Sequence, residues 1–233
     1  KVMDKYDCKT IVFSSSAAVY GLSENGLLHE ESEINPSHPY GITKVTVENL
    51  LNDLYKKSPT KWRIANLRYF NPIGAHPSGL IGEEPKGIPD NIFPYICKVA
   101  SGNLNEIKIF GNDWQTKDGT GVRDYIHVLD LADGHIAALD YLLKSKAQII
   151  TLNLGTGKGT SVFELINTFQ KVNNISIPYK ITKRRKGDLP YVVANNSFAK
   201  KSINWLPKRS LNKMCEDGWR WQMLNPKGYS SKG

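Results

Sequence analysis

Tyr40 and Lys44 lie four residues apart at the start of a long helical pattern, and three serines, Ser14, Ser15 and Ser16, follow the apolar run Ile11-Val12-Phe13. The four-residue interval puts a phenol and an ammonium on one helix face, one turn apart. A neighbouring cation favours phenolate over phenol, so Lys44 is expected to lower the pKa of Tyr40 toward working pH. The β-branched and aromatic run reads as a buried strand that ends in hydroxyls. A strand-end hydroxyl, an activated tyrosine and its lysine can together take a proton from a substrate alcohol. That is half of a reversible alcohol oxidation; the other half needs a hydride acceptor.

A framework of strands and helices must hold these groups, and the chain alternates the two. Strand patterns fall at about 10–14, 62–68, 107–110, 149–154 and 177–181. Helical patterns fall at about 40–57, 90–101, 127–144, 162–172, 197–203 and 210–224. In the third of these helices Val128, Leu131, Ala132, His135 and Leu139 recur at helical spacing. Such alternation predicts a parallel α/β sheet. Two stretches rich in glycine and proline or lacking periodicity, 71–89 and 111–121, read as long loops, and loops of that length are usually functional. The segment Gly155-Thr156-Gly157-Lys158-Gly159-Thr160-Ser161 follows a strand and precedes a helix. It lacks the Gly-Lys-Ser/Thr ending of a P-loop and is spaced G-x-G-x-G, so it reads as a tight turn with Ser161 capping the next helix.

Composition narrows the classes. With 233 residues, 40% of them hydrophobic, the chain has enough apolar material for one large domain or two small ones. Its net charge of +9 fits nucleic acid, an acidic membrane surface or an anionic small substrate. The positive charge is scattered outside 180–186 and the tail, with no basic stripe interleaved with aromatics, so a nucleic-acid partner is not expected. No apolar run reaches membrane-spanning length, and no membrane partner is expected. Cys8, Cys97 and Cys215 show no paired or metal-like spacing, and the five histidines do not cluster. This pattern predicts no metal site and a reducing, cytoplasmic setting. The tail, 230–233, is expected to be disordered.

Longer motifs carry a resemblance. The segments Ser14-Ser15-Ser16-Ala17-Ala18-Val19-Tyr20-Gly21, Leu67-Arg68-Tyr69-Phe70-Asn71-Pro72-Ile73-Gly74-Ala75-His76-Pro77-Ser78-Gly79, Gly119-Thr120-Gly121-Val122-Arg123-Asp124-Tyr125-Ile126-His127-Val128 and Arg184-Arg185-Lys186-Gly187-Asp188-Leu189-Pro190 resemble the UDP-glucose 4-epimerase family. That family is a branch of the extended short-chain dehydrogenase/reductases, and the likeness runs from the first strand almost to Tyr229. It implies the C-terminal portion of a Rossmann-type doubly wound parallel sheet plus a smaller α/β substrate-binding domain. On this reading 1–70 is the remaining part of the NAD-binding domain, and 71–229 is mainly the UDP-sugar-binding domain, with about 122–155 returning to the first sheet. The family's Gly-rich turn, G-x-x-G-x-x-G, which cradles the NAD pyrophosphate, has no counterpart near the start, and on the order of a hundred residues are expected to be absent. The remaining sheet would then expose an edge and favour aggregation. The chain begins at Lys1, so a native start is not expected.

The resemblance also implies roles. Tyr40 corresponds to the general base and acid, Lys44 to the lysine on the nicotinamide ribose, and Ser16 to the serine on the sugar 4-hydroxyl. Ser14, Tyr40, Lys44 and Tyr69 are the residues implied to face NAD. Phe70 packs beside the sugar, and Asn71 and Asn91 hold the diphosphate and sugar. Arg123 and Arg185 neutralise the diphosphate, Asp188 accepts from the ribose hydroxyls, and Ile109 and Phe110 border the uracil. Val192, of intermediate size, stands where some members carry a bulky tyrosine and a small residue admits N-acetylated sugars, which implies some activity on UDP-N-acetylglucosamine. Arg184 is expected to be a solvated neighbour. The activity implied is interconversion of UDP-galactose and UDP-glucose in galactose metabolism, by transient oxidation at C4. A homodimer is implied through the helix bearing Tyr40, whose Val47, Leu51, Leu54 and Tyr55 could equally be buried within their own domain. Dehydratases and decarboxylases of the same fold place an acid in the two positions after the serine. Here those positions are Ala17 and Ala18, which favours epimerisation. An inactive fragment that binds UDP-sugar is the remaining alternative.

Overall fold

The computed structural model describes residues 1–21 and 26–231, apart from the side chains of 230 and 231. The chain opens with α1 (Val2–Lys5), β1 (Thr10–Ser16), β2 (Leu27–Leu28), α2 (Pro39–Lys57), β3 (Arg63–Tyr69) and β4 (Asn71–Ile73). It continues through α3 (Ile92–Ala100), β5 (Ile107–Phe110), β6 (Val122–Arg123), β7 (Tyr125–His127), α4 (Val128–Lys144) and β8 (Gln148–Leu154). It ends with β9 (Thr160–Ser161), α5 (Val162–Asn173), β10 (Tyr179–Thr182), β11 (Tyr191–Ala194), α6 (Ser197–Ile203) and α7 (Leu211–Leu224). These elements divide into two compact units.

The first unit comprises Lys1–Phe70, Leu131–Gly157 and Val192–Pro207. Its main sheet runs β1-β3-β8, all parallel, the arrangement expected from strand–helix alternation. Among the described residues β1 pairs with β3 alone, so it forms a sheet edge. Strand alternation points Ile11 and Phe13 to one face, and α2 covers that face. Leu51 is buried there with Trp62 and Ile64, and Val47, Leu54 and Tyr55 pack against them. These four apolar residues of α2 thus pack within their own unit, the full burial of Leu51 contributing about 1.5–3 kcal/mol.

A polar row crosses the same face. The register aligns Ser15, Arg68 and Asn153 over the three strands, and all three are buried. Arg68 donates from Nε and Nη2 to the Glu48 carboxylate of α2, at 3.0 and 2.6 Å. Its Nη1 donates to the Tyr20 hydroxyl and the Glu30 carbonyl at 2.9 and 2.8 Å. Tyr20 in turn donates to Asn153 Oδ1 at 2.6 Å. Burial pushes the Tyr20 phenol up to about 12, which keeps it a neutral donor.

The second unit comprises Asn71–Asp130, Lys158–Tyr191 and Lys208–Gly233. Its core joins Phe93 and Ile96 of α3, Ile107 and Ile109 of β5, Leu165, Ile166 and Phe169 of α5, and Met214 of α7. Strands β5 and β10 pair in parallel, as do β4 and β7, while β6 and β9 pair antiparallel. Ser161 caps α5 in a full capping box with Glu164, as the glycine turn before it predicts.

Several boundaries differ from those read in the sequence. The return to the first unit begins at Leu131 and not near 122, because β6 and β7 pair within the second unit. Residues 192–207 also belong to the first unit, since Val193 and Ala194 pair with Leu27 and Leu28. The loop expected at 71–89 opens with strand β4. His127 lies in β7 and not in the helix, because its Nδ1 accepts from Leu129 N and caps the start of α4. In the expected tail, Gly228–Ser231 form a 3₁₀ turn anchored by Tyr229 N donating to Glu84, and 232–233 lie outside the described residues.

Arg68 with Glu48, and His127, are buried ionisable groups whose loss or titration should be felt in stability. Arg68→Ala leaves Glu48 buried without its partner and should cost about 3–5 kcal/mol in urea denaturation; a loss under about 1 kcal/mol contradicts this. His127 is completely buried, and burial holds its pKa below the ordinary value despite its contact with Asp217. The unfolded chain therefore takes up a proton that the fold refuses as pH drops below about 6.5, and stability falls with it. The melting temperature should decrease from pH 7 to pH 5, with a shallower slope in His127→Gln; identical slopes contradict the assignment.

Candidate active site

The first unit gathers the proton-handling groups at the C-terminal ends of β1 and β3. Ser16 ends β1, and its Oγ accepts from Ala18 N at 3.1 Å to cap the turn Ala17–Val19. Tyr40 lies in the first turn of α2 and is 56% exposed, so its phenol is reachable by a solute. Lys44 is half-buried one turn on. Its ammonium stands 5.3 Å from the centroids of both the Tyr40 and the Phe13 rings and donates to the Ser14 carbonyl at 2.8 Å. A helix spacing read from sequence thus becomes a phenol and an ammonium side by side over the strand end. Tyr69, level with Ser16 in the sheet register, donates to Ser14 Oγ at 2.6 Å and also contacts His135 Nε2. Burial raises the Tyr69 pKa, so Tyr69 is a neutral positioner beside the more open Tyr40. Phe70 is buried in a cluster with Val19, Tyr20, Leu28 and Ala194, against which Val192 packs.

The second unit holds a cavity of about 260 Å³. It brings together Asn71, Asn91, Ile109, Phe110, Arg123, Arg185 and Asp188, seven residues marked out in five separate parts of the sequence. Val192 is not among them, because β11 carries it into the first unit. The Arg185 guanidinium lies 3.8 Å over the Phe110 ring, a stacked pair that presents both a cation and a flat apolar edge. Arg123 forms an ion pair with Asp188. Lys108, Arg123 and Arg185 against Asp90 and Asp188 leave one net positive charge on the lining, which suits an anionic ligand. Asn91 precedes α3 without capping it, its amide donating instead to Glu83 at 3.4 Å.

Some neighbours went unread in the sequence. Strand alternation in β5 puts Lys108 and Phe110 outward and Ile107 and Ile109 inward, so Lys108 shares the exposed side with Phe110 and Ile109 belongs chiefly to the core. That period was available in the sequence. Tyr125 also lines the cavity; burial pushes its phenol up to about 12 and keeps it neutral. Arg184 is not merely solvated: it stacks at 4.0 Å on Trp114 and donates from Nε to Asp113 at 2.7 Å. The guanidinium–indole and ion-pair partners lie some seventy residues away in the chain, beyond any local pattern. Among the described residues no group of His, Cys, Asp and Glu could hold a metal ion, and no helix is long and apolar enough to cross a membrane.

A family profile described as GDP-mannose 4,6 dehydratase matches residues 1–218. The UDP-glucose 4-epimerase of Bacillus subtilis is 50% identical over 231 residues, covering 99% of this chain and 68% of that protein. UDP-glucose 4-epimerase 2 of Oryza sativa is also 50% identical, over 232 residues, with 99% and 57% covered. This chain therefore spans between 57% and 68% of the length of these two relatives. Among solved structures, the UDP-glucose 4-epimerase of Bifidobacterium longum in complex with NAD⁺ and UDP superimposes with a TM-score of 0.92 at 46% identity, covering 98% of this chain and 68% of that one. That of Stenotrophomonas maltophila, with bound NAD and formylated UDP-arabinopyranose, gives 0.93 at 46% identity, with 97% and 66% covered. The chain belongs to the family of these relatives.

Proposed function

We propose that this member of the UDP-glucose 4-epimerase family interconverts UDP-galactose and UDP-glucose. The observation that carries the reading is the Tyr40–Lys44 pair at the strand end that bears Ser16. Ser16 hydrogen-bonds the sugar 4-hydroxyl, and Tyr40 takes its proton as C4 is oxidised. The ammonium of Lys44 stands beside the phenolate that accepts this proton. Tyr40 then returns the proton when C4 is reduced from the opposite face, which inverts the configuration. Ala17 and Ala18 follow Ser16, so no carboxylate stands there to drive elimination or decarboxylation.

NAD fits the groups present. Lys44 uses one of its three donors on the Ser14 carbonyl, which leaves two for ribose hydroxyls, and Tyr40 is exposed beside it. Bound NAD supplies the hydride acceptor and donor for C4. Lys44 and Tyr40 would hold its nicotinamide ribose, with Ser14 and Tyr69 beside it. In the second unit Arg185 and Arg123 neutralise the diphosphate, Asn71 and Asn91 donate to it, Phe110 and Ile109 wall the uracil, and Asp188 accepts from the ribose. The reaction belongs to galactose metabolism. The three cysteines are free, two of them buried, which suits a cytoplasmic setting.

A homodimer completes the proposal. Ile42 and Leu50 on α2 and Ile136, Leu139 and Leu143 on α4 are large apolar residues left exposed, and the helical spacing puts the last three along one stripe. Sedimentation should give a dimer that Leu50→Glu shifts toward monomer; a monomeric parent protein rejects the dimer.

Tyr40→Phe should lower UDP-galactose turnover by about a hundredfold or more while UDP binding, read by calorimetry, stays unchanged. Arg185→Ala should do the converse and weaken UDP binding by about tenfold. Near-parent turnover in Tyr40→Phe removes it as the base.

A further inference from the structure

We propose that Glu48, held by Arg68, is a positioning residue that locks α2 onto the end of β1 and thereby sets the spacing of Ser16, Tyr40 and Lys44. The inference rests on the epimerase reading for what those three residues do, and on the buried network alone for how they are held.

Tyr40, Lys44 and Glu48 recur every four residues, so they climb one side of α2 like rungs. Two successive strand residues meet two of these rungs. The Ser14 carbonyl accepts from Lys44 at 2.8 Å, and Ser15 Oγ donates to Glu48 Oε1 at 2.5 Å. A third link lies at the helix start. A Cβ on Gly41 would sit 2.2 Å from the Ala18 carbonyl oxygen, so the first turn of α2 rests directly on the turn that Ser16 caps. Strand alternation keeps Ser15 on the face opposite Ser16, so it can serve as an anchor while its neighbour stays free for substrate.

The charge on Glu48 is costly where it stands. It is 5% exposed and Arg68 is 6% exposed, and both must be stripped of water to pair. Hydrophobic residues of similar volume would stabilise such a site equally well or better, so stability alone does not account for the pair. What it adds is direction. The two-pronged contact of Arg68 with Glu48 fixes the carboxylate so that one oxygen also faces Ser15. Arg68 is itself register partner to Ser15 and chain neighbour to Tyr69, which bonds Ser14. One buried pair therefore aligns the helix with both strands that carry reacting or cofactor-facing groups. Misplacing such groups by about 1 Å can cost on the order of a hundredfold in rate.

Two variants of the NAD-loaded, full-length protein test this. Ser15→Ala removes the anchor and leaves the ion pair; the double variant Glu48→Leu/Arg68→Met removes both charges together. Each should melt near the parent temperature and bind UDP as the parent does. Each should lower kcat for UDP-galactose by about tenfold or more with KM within about twofold. Amide exchange over residues 41–45 should quicken by about tenfold in both, with the second unit unchanged. Should the double variant not fold, Ser15→Ala decides alone. A folded Ser15→Ala protein with parent-like kcat and parent-like exchange overturns the proposal. Should the parent itself not turn over UDP-galactose, the epimerase reading fails, and the exchange rates over 41–45 still decide whether the lock exists.

Discussion

The ion pair between Arg68 and Glu48 is the interaction on which the first unit turns. It is buried under α2, joins the helix to β3, reaches β1 through Ser15, and reaches β8 through Tyr20 and Asn153. Four elements thus share one network in a region where an unpaired charge is costly. Apolar packing around Leu51, Trp62 and Ile64 brings the helix to the sheet without fixing its register along the strands. Hydrogen bonds are directional, and this network supplies the register. The exposed phenol of Tyr40 and the open strand end at Ser16 can be reactive because the residues behind them are held.

The two units divide the chemistry by physical type. The first offers hydroxyls and one ammonium, groups suited to moving a proton at a carbon that bears oxygen. The second offers guanidinium forks, amides and an aromatic wall, groups suited to a nucleoside diphosphate. The Arg123–Asp188 pair keeps the cavity close to neutral, so affinity for an anion depends on placement as well as on net charge. Arg184, fastened to Trp114 and Asp113, ties the loop that carries Arg185 and Asp188 to the loop after β5.

Much of this was legible in residues. The hydroxyl run after an apolar strand, the four-residue step from Tyr40 to Lys44 and the cap at Ser161 are local patterns, and each appears where the pattern put it. The helices at 162–172 and 197–203 were readable for the same reason. What escaped was non-local. The short strands β4, β6, β7 and β9 are two or three residues long and exist because they find partners elsewhere in the chain, so their own sequences carry almost no period. Val192 follows β11 into the first unit for a similar reason. Glu48 and Arg68 sit within plain helix and strand patterns, and only the register that stacks Ser15, Arg68 and Asn153 reveals their burial.

The most direct measurement follows the hydrogen on C4. UDP-galactose carrying deuterium at C4 would be converted by the NAD-loaded protein in ordinary water and the UDP-glucose analysed by mass spectrometry. Oxidation and re-reduction at one carbon, with Tyr40 handling only the hydroxyl proton, predicts that the deuterium stays on C4 of the product. Loss of the label to solvent during conversion, or no conversion at all, would contradict that account.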